Sequence, residues 1–275
     1  MGRRERVDVV LVNRGFFSSR ERAQAAILER RVLVDNKVVH KAGTLIDPKS
    51  AISIKGEEIS YVSRGGVKLK RALDEFRIDV EGRIALDVGV STGGFTDCLL
   101  QHGAKQVIAV DVGYGQIAWR LRQDPRVYLL ERTNIRYLTP DKIPALADVA
   151  TVDLSFISVK KITANLIKLL KPKAQLVVLI KPQFEAGREF VGKGGIVKDP
   201  EVHERVLVDL WRYFEGEGFE VKGLIYSPLR GTEGNIEFLM YLVLDGERRR
   251  EESHILKRVK SVVEEAHGAL DFRKC

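Results

Sequence analysis

The sequence predicts an α/β chain: a Rossmann-like, doubly wound sheet of seven strands, mostly parallel, preceded by a small α+β module. Three observations lead there. From residue 65 onward apolar strand segments alternate with helical ones, the last two strand segments are joined by a loop too short to hold a helix, and the segment before residue 60 has a different, shorter rhythm. With 275 residues, 44% of them hydrophobic and 31% charged, the chain has apolar material for one large domain and one small one.

In the first module Val7, Val10 and Leu11 have helical spacing, and Gly15 can close that helix. Ser18 is expected to open a second helix as its N-cap, with Glu21 in the capping-box position and Ala23, Ala26 and Ile27 on the buried side. Arg20, Arg22 and Arg30 surround that side. V-L-V-D-N-K-V-V (32–39) reads as two strands turning at Asp35-Asn36, and Ile52 to Ile54 as a further strand after the break at Pro48.

The larger unit runs in order through a helix from Val67 to Phe76, I-A-L-D-V (84–88), a Gly-rich turn, a helix to Gln101, and V-I-A-V-D (107–111). A helix from Gln116 follows, then V-Y-L-L (127–130), V-A-T-V-D (149–153), a further helix and Q-L-V-V-L-I-K (175–181). A polar loop and a helix from about Glu201 lead to F-E-V-K-G-L-I-Y (219–226) and I-E-F-L-M-Y-L-V-L (236–244). The loop S-P-L-R-G-T-E-G-N (227–235) is too short for a crossover, so the final strand is expected to be antiparallel to its neighbour. The expected boundaries are 1–59 for the first domain, 60–64 for a linker, 65–248 for the second domain, and 249–275 for a C-terminal helix packing on it or extending from it.

The formal net charge is +8 at a sequence pI of about 9.4, which favours a polyanionic partner without identifying one. Residues 1–59 hold 12 Lys/Arg against 8 Asp/Glu, so about a fifth of the chain carries half of the excess. Cys98 and Cys275 sit in neither a CxxC nor a Cys/His ligand spacing, which points to a reducing compartment and to no metal. The N-terminus lacks the apolar run of a signal peptide, and the longest apolar stretch, near Leu176 to Ile180, is too short to span a bilayer. A cytoplasmic location is expected.

D-V-G-V-S-T-G-G-F (87–95) follows the first strand of the larger unit. It lacks both G-x-G-x-x-G and the lysine of a phosphate loop, so the turn alone leaves NAD, FAD, a phosphate or a plain tight turn open. Gly89 and Gly93 would let backbone approach a ligand, and Asp87 offers a carboxylate to the amino-acid end of S-adenosylmethionine. A second acid, Asp111, ends the next strand, where a ribose diol could be held. Two acids at strand ends on one sheet edge favour a nucleoside cofactor. Ser91, Gly94 and Phe95 complete the expected site, with Asn134 as a candidate for the adenine.

Four further charged residues fall where a substrate could meet that cofactor: Lys68 in S-R-G-G-V-K-L, Asp153 in D-L-S-F, Lys181 in I-K-P-Q-F-E and Glu237 in G-N-I-E-F. Their combination resembles the K-D-K-E tetrad of RrmJ/FtsJ-type RNA 2′-O-methyltransferases, enzymes built on the class I methyltransferase variant of the Rossmann fold. Within that superfamily the chain resembles the TlyA (haemolysin A) family through V-D-V-G-Y-G-Q, D-P-R-V, E-R-T-N-I-R, V-D-L-S-F-I-S and G-K-G-G-I-V-K-D-P as well. The first module resembles the S4 RNA-binding domain in R-V-D-V-V-L-V-N-R-G, S-S-R-E-R-A-Q-A-A-I and V-L-V-D-N-K-V-V-H-K. These resemblances imply methylation of a ribose 2′-hydroxyl in ribosomal RNA with S-adenosylmethionine, and ribosomal RNA or ribosomal subunits as partner. They also imply phosphate contacts from Arg6, Arg14, Arg20, Arg22, Arg30, Arg31, Lys37 and Lys41.

The chemistry asks for these residue types. A 2′-hydroxyl is a poor nucleophile until it loses its proton, so the protein must orient it and handle that proton. Lys181 is the expected handler, either neutral as a base or charged as a stabiliser of the alkoxide. Lys68 would lower its pKa and Asp153 and Glu237 would raise it, a balance the sequence leaves open. Three other functions stay in view: methylation of a base amino group, since D-L-S-F faintly echoes D-P-P-Y; an RNA-binding ribosome-assembly factor; and a membrane-active haemolysin without methyltransferase activity.

Overall fold

The computed structural model describes residues 4–17, 19–55, 60–245 and 252–270. The chain starts with a short strand, β1 (Glu5–Arg6), followed by helices α1 (Val7–Asn13) and α2 (Arg20–Leu28). The expected N-cap Ser18 lies outside the described residues. Ser19 is the N-cap observed, its hydroxyl accepting from the Arg22 amide at 3.3 Å, so Glu21 becomes the second helical residue and no capping box forms. Strands β2 (Val32–Val34) and β3 (Lys37–Val38) turn at Asp35 and Asn36, whose φ values of 49° and 63° are those of a type I′ hairpin. β4 (Leu45–Ile46) pairs antiparallel with β1, a two-residue ladder too short to announce itself in the sequence, and β5 (Ile52–Ile54) joins β2. Val7, Val10, Leu11, Ala23, Ala26, Ile27 and Val32 form a separate small core.

Helix α3 (Arg64–Phe76) begins three residues ahead of the expected start, because Ser63 is already extended and Arg64 to Gly66 continue the helical turn. The strands β6 (Ile84–Val88), β7 (Gln106–Val110), β8 (Val127–Leu130), β9 (Ala147–Val152), β10 (Leu170–Ile180), β11 (Phe219–Tyr226) and β12 (Phe238–Leu244) form one sheet in the order β11-β12-β10-β9-β6-β7-β8. β12 is inserted between β10 and β11 and runs antiparallel to both; the remaining neighbours are parallel. The central strands β6, β7 and β9 and the second half of β10 are largely apolar on both faces because helices cover both.

On one face lie α3 and α4 (Gly94–Gln101), with Leu69, Leu73, Phe95 and Leu99 in the core. The other face carries α6 (Lys160–Ile167), α8 (Pro200–Gly216) and α9 (Glu252–Ala269), the last burying Ile255, Val259, Val262, Val263 and Ala266. Two short helices, α5 (Trp119–Arg122) and α7 (Pro182–Glu185), follow β7 and β10. α5 starts at Trp119 instead of Gln116, since the Ala118 amide is drawn to the Thr92 carbonyl at 3.1 Å and holds the preceding loop extended.

Candidate active site

The carboxyl ends of β6, β7, β9 and β10 converge on one edge, the place where open α/β sheets bind ligands. The turn after β6 is shaped by two close approaches. Gly89 has φ of 89°, and a Cβ there would sit 2.3 Å from the Asp153 carbonyl oxygen, so only glycine lets the turn lie against the end of β9. A Cβ on Gly94 would meet the Ser63 hydroxyl at 2.3 Å and the Gly66 amide at 2.9 Å, so the start of α4 lies directly on the start of α3. That contact fixes Lys68 relative to the turn.

Of the expected cofactor residues, Asp111 lies just beyond β7 and is partly exposed. Its Oδ2 accepts from the Ser91 amide at 2.8 Å and its Oδ1 from the Gly113 amide at 2.6 Å, which ties the two loops flanking the edge to one carboxylate. Asp87 stands differently. It is fully buried, with Oδ2 accepting from the Thr96 hydroxyl at 2.6 Å and Oδ1 from Thr151 at 2.9 Å. Burial pushes its carboxyl up to about 6, against the two threonine hydrogen bonds. Asp87 thus braces the turn from inside, with each oxygen held by a threonine hydroxyl. Asn134 caps the turn at 135–137, its Oδ1 accepting from the Arg136 amide at 3.1 Å.

The four charged residues come together. Lys68 Nζ donates to Glu237 Oε2 at 2.5 Å, with Lys68 8% and Glu237 2% exposed. Lys181 Nζ lies 2.6 Å from Asp153 Oδ1 and donates to the Ser155 hydroxyl at 2.9 Å. Both pairs line one cavity of about 170 Å³ together with Gly89, Ser91, Gly94 and Phe95. Burial pulls the Lys181 ammonium down, but the carboxylates of Asp153 and Glu237 outweigh it and hold its pKa above the ordinary lysine value. The balance left open by the sequence therefore falls on the acidic side.

The first domain reaches this cavity: Ala25, Leu28 and Glu29, at the end of α2, line it too. Glu29 accepts from the Arg64 amide at 2.6 Å, and burial raises its carboxyl. Arg30, one of the expected phosphate ligands, instead pairs with Glu233 at 2.8 Å. A second cavity of about 690 Å³ continues between the domains, lined by Gln24 and His40 on one side and Tyr114 and Trp119 on the other. Among the remaining basic candidates, Arg6, Arg14, Arg20, Lys37 and Lys41 are exposed, while Arg22 and Arg31 are half-buried. Arg31 donates to the Lys55 carbonyl at 2.8 Å, and Arg14 donates to that of Ser50 at 2.6 Å.

Sequence reasoning passed over Ser155, Thr96 and Thr151. Thr151 lies on β9 directly opposite Asp87, but Thr96 and Ser155 stand 9 and 26 residues from the charged residues they serve, with no local spacing to mark them. Among the described residues no group of three or more His, Cys, Asp or Glu side chains could hold a metal ion, and no helix is long and apolar enough to cross a membrane.

Comparison with known proteins decides the family. Residues 61–244 match the FtsJ-like methyltransferase family, and residues 5–52 match the S4 domain. The chain belongs to the FtsJ-like methyltransferase family. A Bacillus subtilis protein provisionally named rRNA methyltransferase YqxC is 49% identical over 99% of this chain and 97% of its own length. The 16S/23S rRNA (cytidine-2'-O)-methyltransferase TlyA of Mycobacterium tuberculosis is 42% identical over 88% of this chain and 91% of its own. A solved structure from Streptococcus thermophilus, provisionally described as a hemolysin, is 43% identical, covers 98% of both chains and superposes with a TM-score of 0.78. Within the FtsJ-like family this chain thus groups with the TlyA and hemolysin A branch, and its sheet, with one reversed strand between β10 and β11, is the class I methyltransferase fold.

Proposed function

We propose that this protein transfers a methyl group from S-adenosylmethionine to a ribose 2′-hydroxyl of ribosomal RNA. The observation that carries the reading is the convergence of two lysine–carboxylate pairs, Lys68–Glu237 and Lys181–Asp153, on one cavity beside the Gly89 turn. The family match and the relatives named for 2'-O-methylation of rRNA support it. The residues fit the cofactor: a glycine turn pressed against β9 and a carboxylate at the end of β7 form a cradle next to the tetrad. S-adenosylmethionine, when bound, supplies a methyl already activated on a sulfonium.

The protein's own work is then to hold the 2′-oxygen and move one proton. Lys181, kept charged by Asp153 and Glu237, faces the 2′-oxygen and stabilises the alkoxide as it forms. As the 2′-hydroxyl proton passes to Nζ, one of the protons of Nζ passes to Asp153, 2.6 Å away, so the lysine keeps its charge throughout. Ser155 fixes the rotamer of Lys181 through its hydroxyl. Lys68 and Glu237, sealed against each other, hold the wall of the site.

The S4 domain contributes affinity for RNA through its basic face, and the ribosomal substrate, as free RNA or in a ribosomal subunit, places the work in the cytoplasm. Mapping of alkali-resistant sites on ribosomal RNA incubated with protein and S-adenosylmethionine tests the reaction. One protected phosphodiester is expected; a methyl on a base, or none with lysis of membranes instead, would overturn it. Lys181→Ala should lower transfer by at least about a hundredfold, the scale of a general acid/base group. Lys181→Arg keeps the charge but cannot relay a proton, so substantial activity in that variant would reduce Lys181 to a stabilising charge.

A further inference from the structure

The S4 domain buries one acid beneath its basic face. Asp8 is 0% exposed and its carboxylate is surrounded by donors: Arg6 Nε bonds Oδ1 at 3.0 Å, while Arg6 Nη2, Arg20 Nη2 and Gln24 Nε2 bond Oδ2 at 3.0, 2.9 and 2.8 Å. The side chains of Arg6 and Arg20 are nevertheless 48% and 51% exposed, so each guanidinium has one edge on Asp8 and another open to solvent. Arg6 sits on β1 and Arg20 at the start of α2; no backbone contact within one element fixes their spacing, and Asp8 is the atom group they share. Gln24, the third side chain on this carboxylate, also lines the groove between the two domains.

Simple attraction to a polyanion argues against such an acid, since two arginines over a carboxylate carry one net charge instead of two. What the acid supplies is geometry. A long flexible arginine loses entropy when it grips a phosphate, and one already tethered loses less. The planar fork of a guanidinium can serve two acceptors at once, one on the protein and one on the ligand, which a lysine ammonium does far less well. Burial by itself would push the Asp8 carboxyl up, but the hydrogen bonds from Arg6, Gln24 and Arg20 outweigh it and keep it ionised well below the ordinary carboxylate range.

We propose that Asp8 is a positioning residue that sets Arg6 and Arg20 as a fixed two-guanidinium clamp for an RNA phosphate. The inference rests on the S4 domain being an RNA-binding domain, and the two can fail separately. The test measures binding of a labelled RNA hairpin to full-length protein across a salt series, with melting temperature and S-adenosylmethionine affinity as controls. Asp8→Asn is isosteric and adds positive charge to the surface, so plain Coulomb attraction predicts tighter binding. Positioning predicts the opposite sign, a loss of about tenfold, the worth of one charge-assisted contact, with both controls unchanged. Arg20→Lys and Arg6→Lys, which keep the charge and leave Asp8 in place, should each lose affinity by a similar factor, and they decide the question if Asp8→Asn melts early. Wild-type or tighter RNA binding in Arg20→Lys and Arg6→Lys, or in a stably folded Asp8→Asn, would overturn the clamp. The double variant Arg6→Ala/Arg20→Ala tests the reading underneath: if it binds RNA like wild type, the S4 domain's basic face is not an RNA site here.

Discussion

Replacing Glu237 by alanine separates what the Lys68–Glu237 pair does for folding from what it does for the reaction. The two side chains touch at 2.5 Å and are 8% and 2% exposed, so the substitution leaves the Lys68 ammonium nearly out of water with its counter-charge gone. Breaking a buried pair in this way costs roughly 3–5 kcal/mol, and the adjoining cavity, which lets some water reach Nζ, places this case near the lower figure. A domain of this size shifts its melting point by roughly 2–4 °C per kcal/mol, so Glu237→Ala should melt roughly 6–12 °C below wild type in calorimetry of the full chain. Removing both charges is a different perturbation. Lys68→Met with Glu237→Leu keeps volume and leaves no orphan charge, so its melting point should return close to that of wild type. Methyl transfer to ribosomal RNA should stay lost in the double variant. A Glu237→Ala protein as stable as wild type would refute the buried-pair reasoning, and a double variant that still methylates would remove the pair from the chemistry.

Two further outcomes follow from single carboxylates. Asp111→Ala frees the Ser91 and Gly113 amides that the carboxylate now holds, and should weaken S-adenosylmethionine binding by calorimetry at least about tenfold; tighter binding of NAD than of S-adenosylmethionine in the parent protein would sink the cofactor assignment. Asp87 has its carboxyl raised by burial from 3.8 to about 6, so its protonated form favours the folded state: that contribution is complete below about pH 4 and is lost as pH rises through about 6. Asp87→Asn, neutral throughout and still able to meet Thr96 and Thr151, should flatten melting temperature against pH across that window and raise it at pH 7 by the equivalent of up to roughly 3 kcal/mol; an unchanged pH profile would show that Asp87 does not titrate there.

The sheet was readable because its strands are apolar runs whose ends carry charged residues, and every strand of the larger domain overlaps its expected place, with β10 beginning five residues early at Leu170. The insertion of β12 between β10 and β11 was less legible. A short loop dictates antiparallel pairing with β11, but the second neighbour is marked only by burial of both faces of β12, with Phe238, Met240 and Leu242 on one and Leu239 on the other, and is fixed by the register of Phe238 to Val243 against β10. Element starts were missed where a side chain or a distant carbonyl sets them, as Ser19 does for α2 and Thr92 for α5. The candidate site divides in the same way. Residue types at strand ends brought Asp111, Asp153 and Lys181 to one sheet edge, whereas nothing in the local pattern showed that two threonines, from α4 and β9, enclose Asp87. Arg30 looked like its neighbours on a basic helix; its partner Glu233 is 203 residues away, beyond the reach of any local pattern.

Burial also divides the tetrad, although its lysines and acids are chemically alike. A group that takes a proton from a substrate must present an open side to it, and a group that only shapes the wall need not. Lys68 and Glu237 leave side-chain exposures of 11% and 3% and are consumed by one short contact, so neither can turn to an incoming hydroxyl without leaving the other unpaired. Lys181 and Asp153 retain 13% and 23%, and the hydroxyl of Ser155 offers Lys181 a second partner while the first is exchanged. The difference between the lysines is small, but that between the carboxylates is not: Asp153 is the more exposed acid, and its Oδ1, buried and without a hydrogen-bond partner, lies 2.6 Å from Lys181 Nζ. In the proposed mechanism the proton therefore travels along the Lys181–Asp153 pair, and the Lys68–Glu237 pair keeps Glu237 in place to hold the charge on Lys181 from the other side.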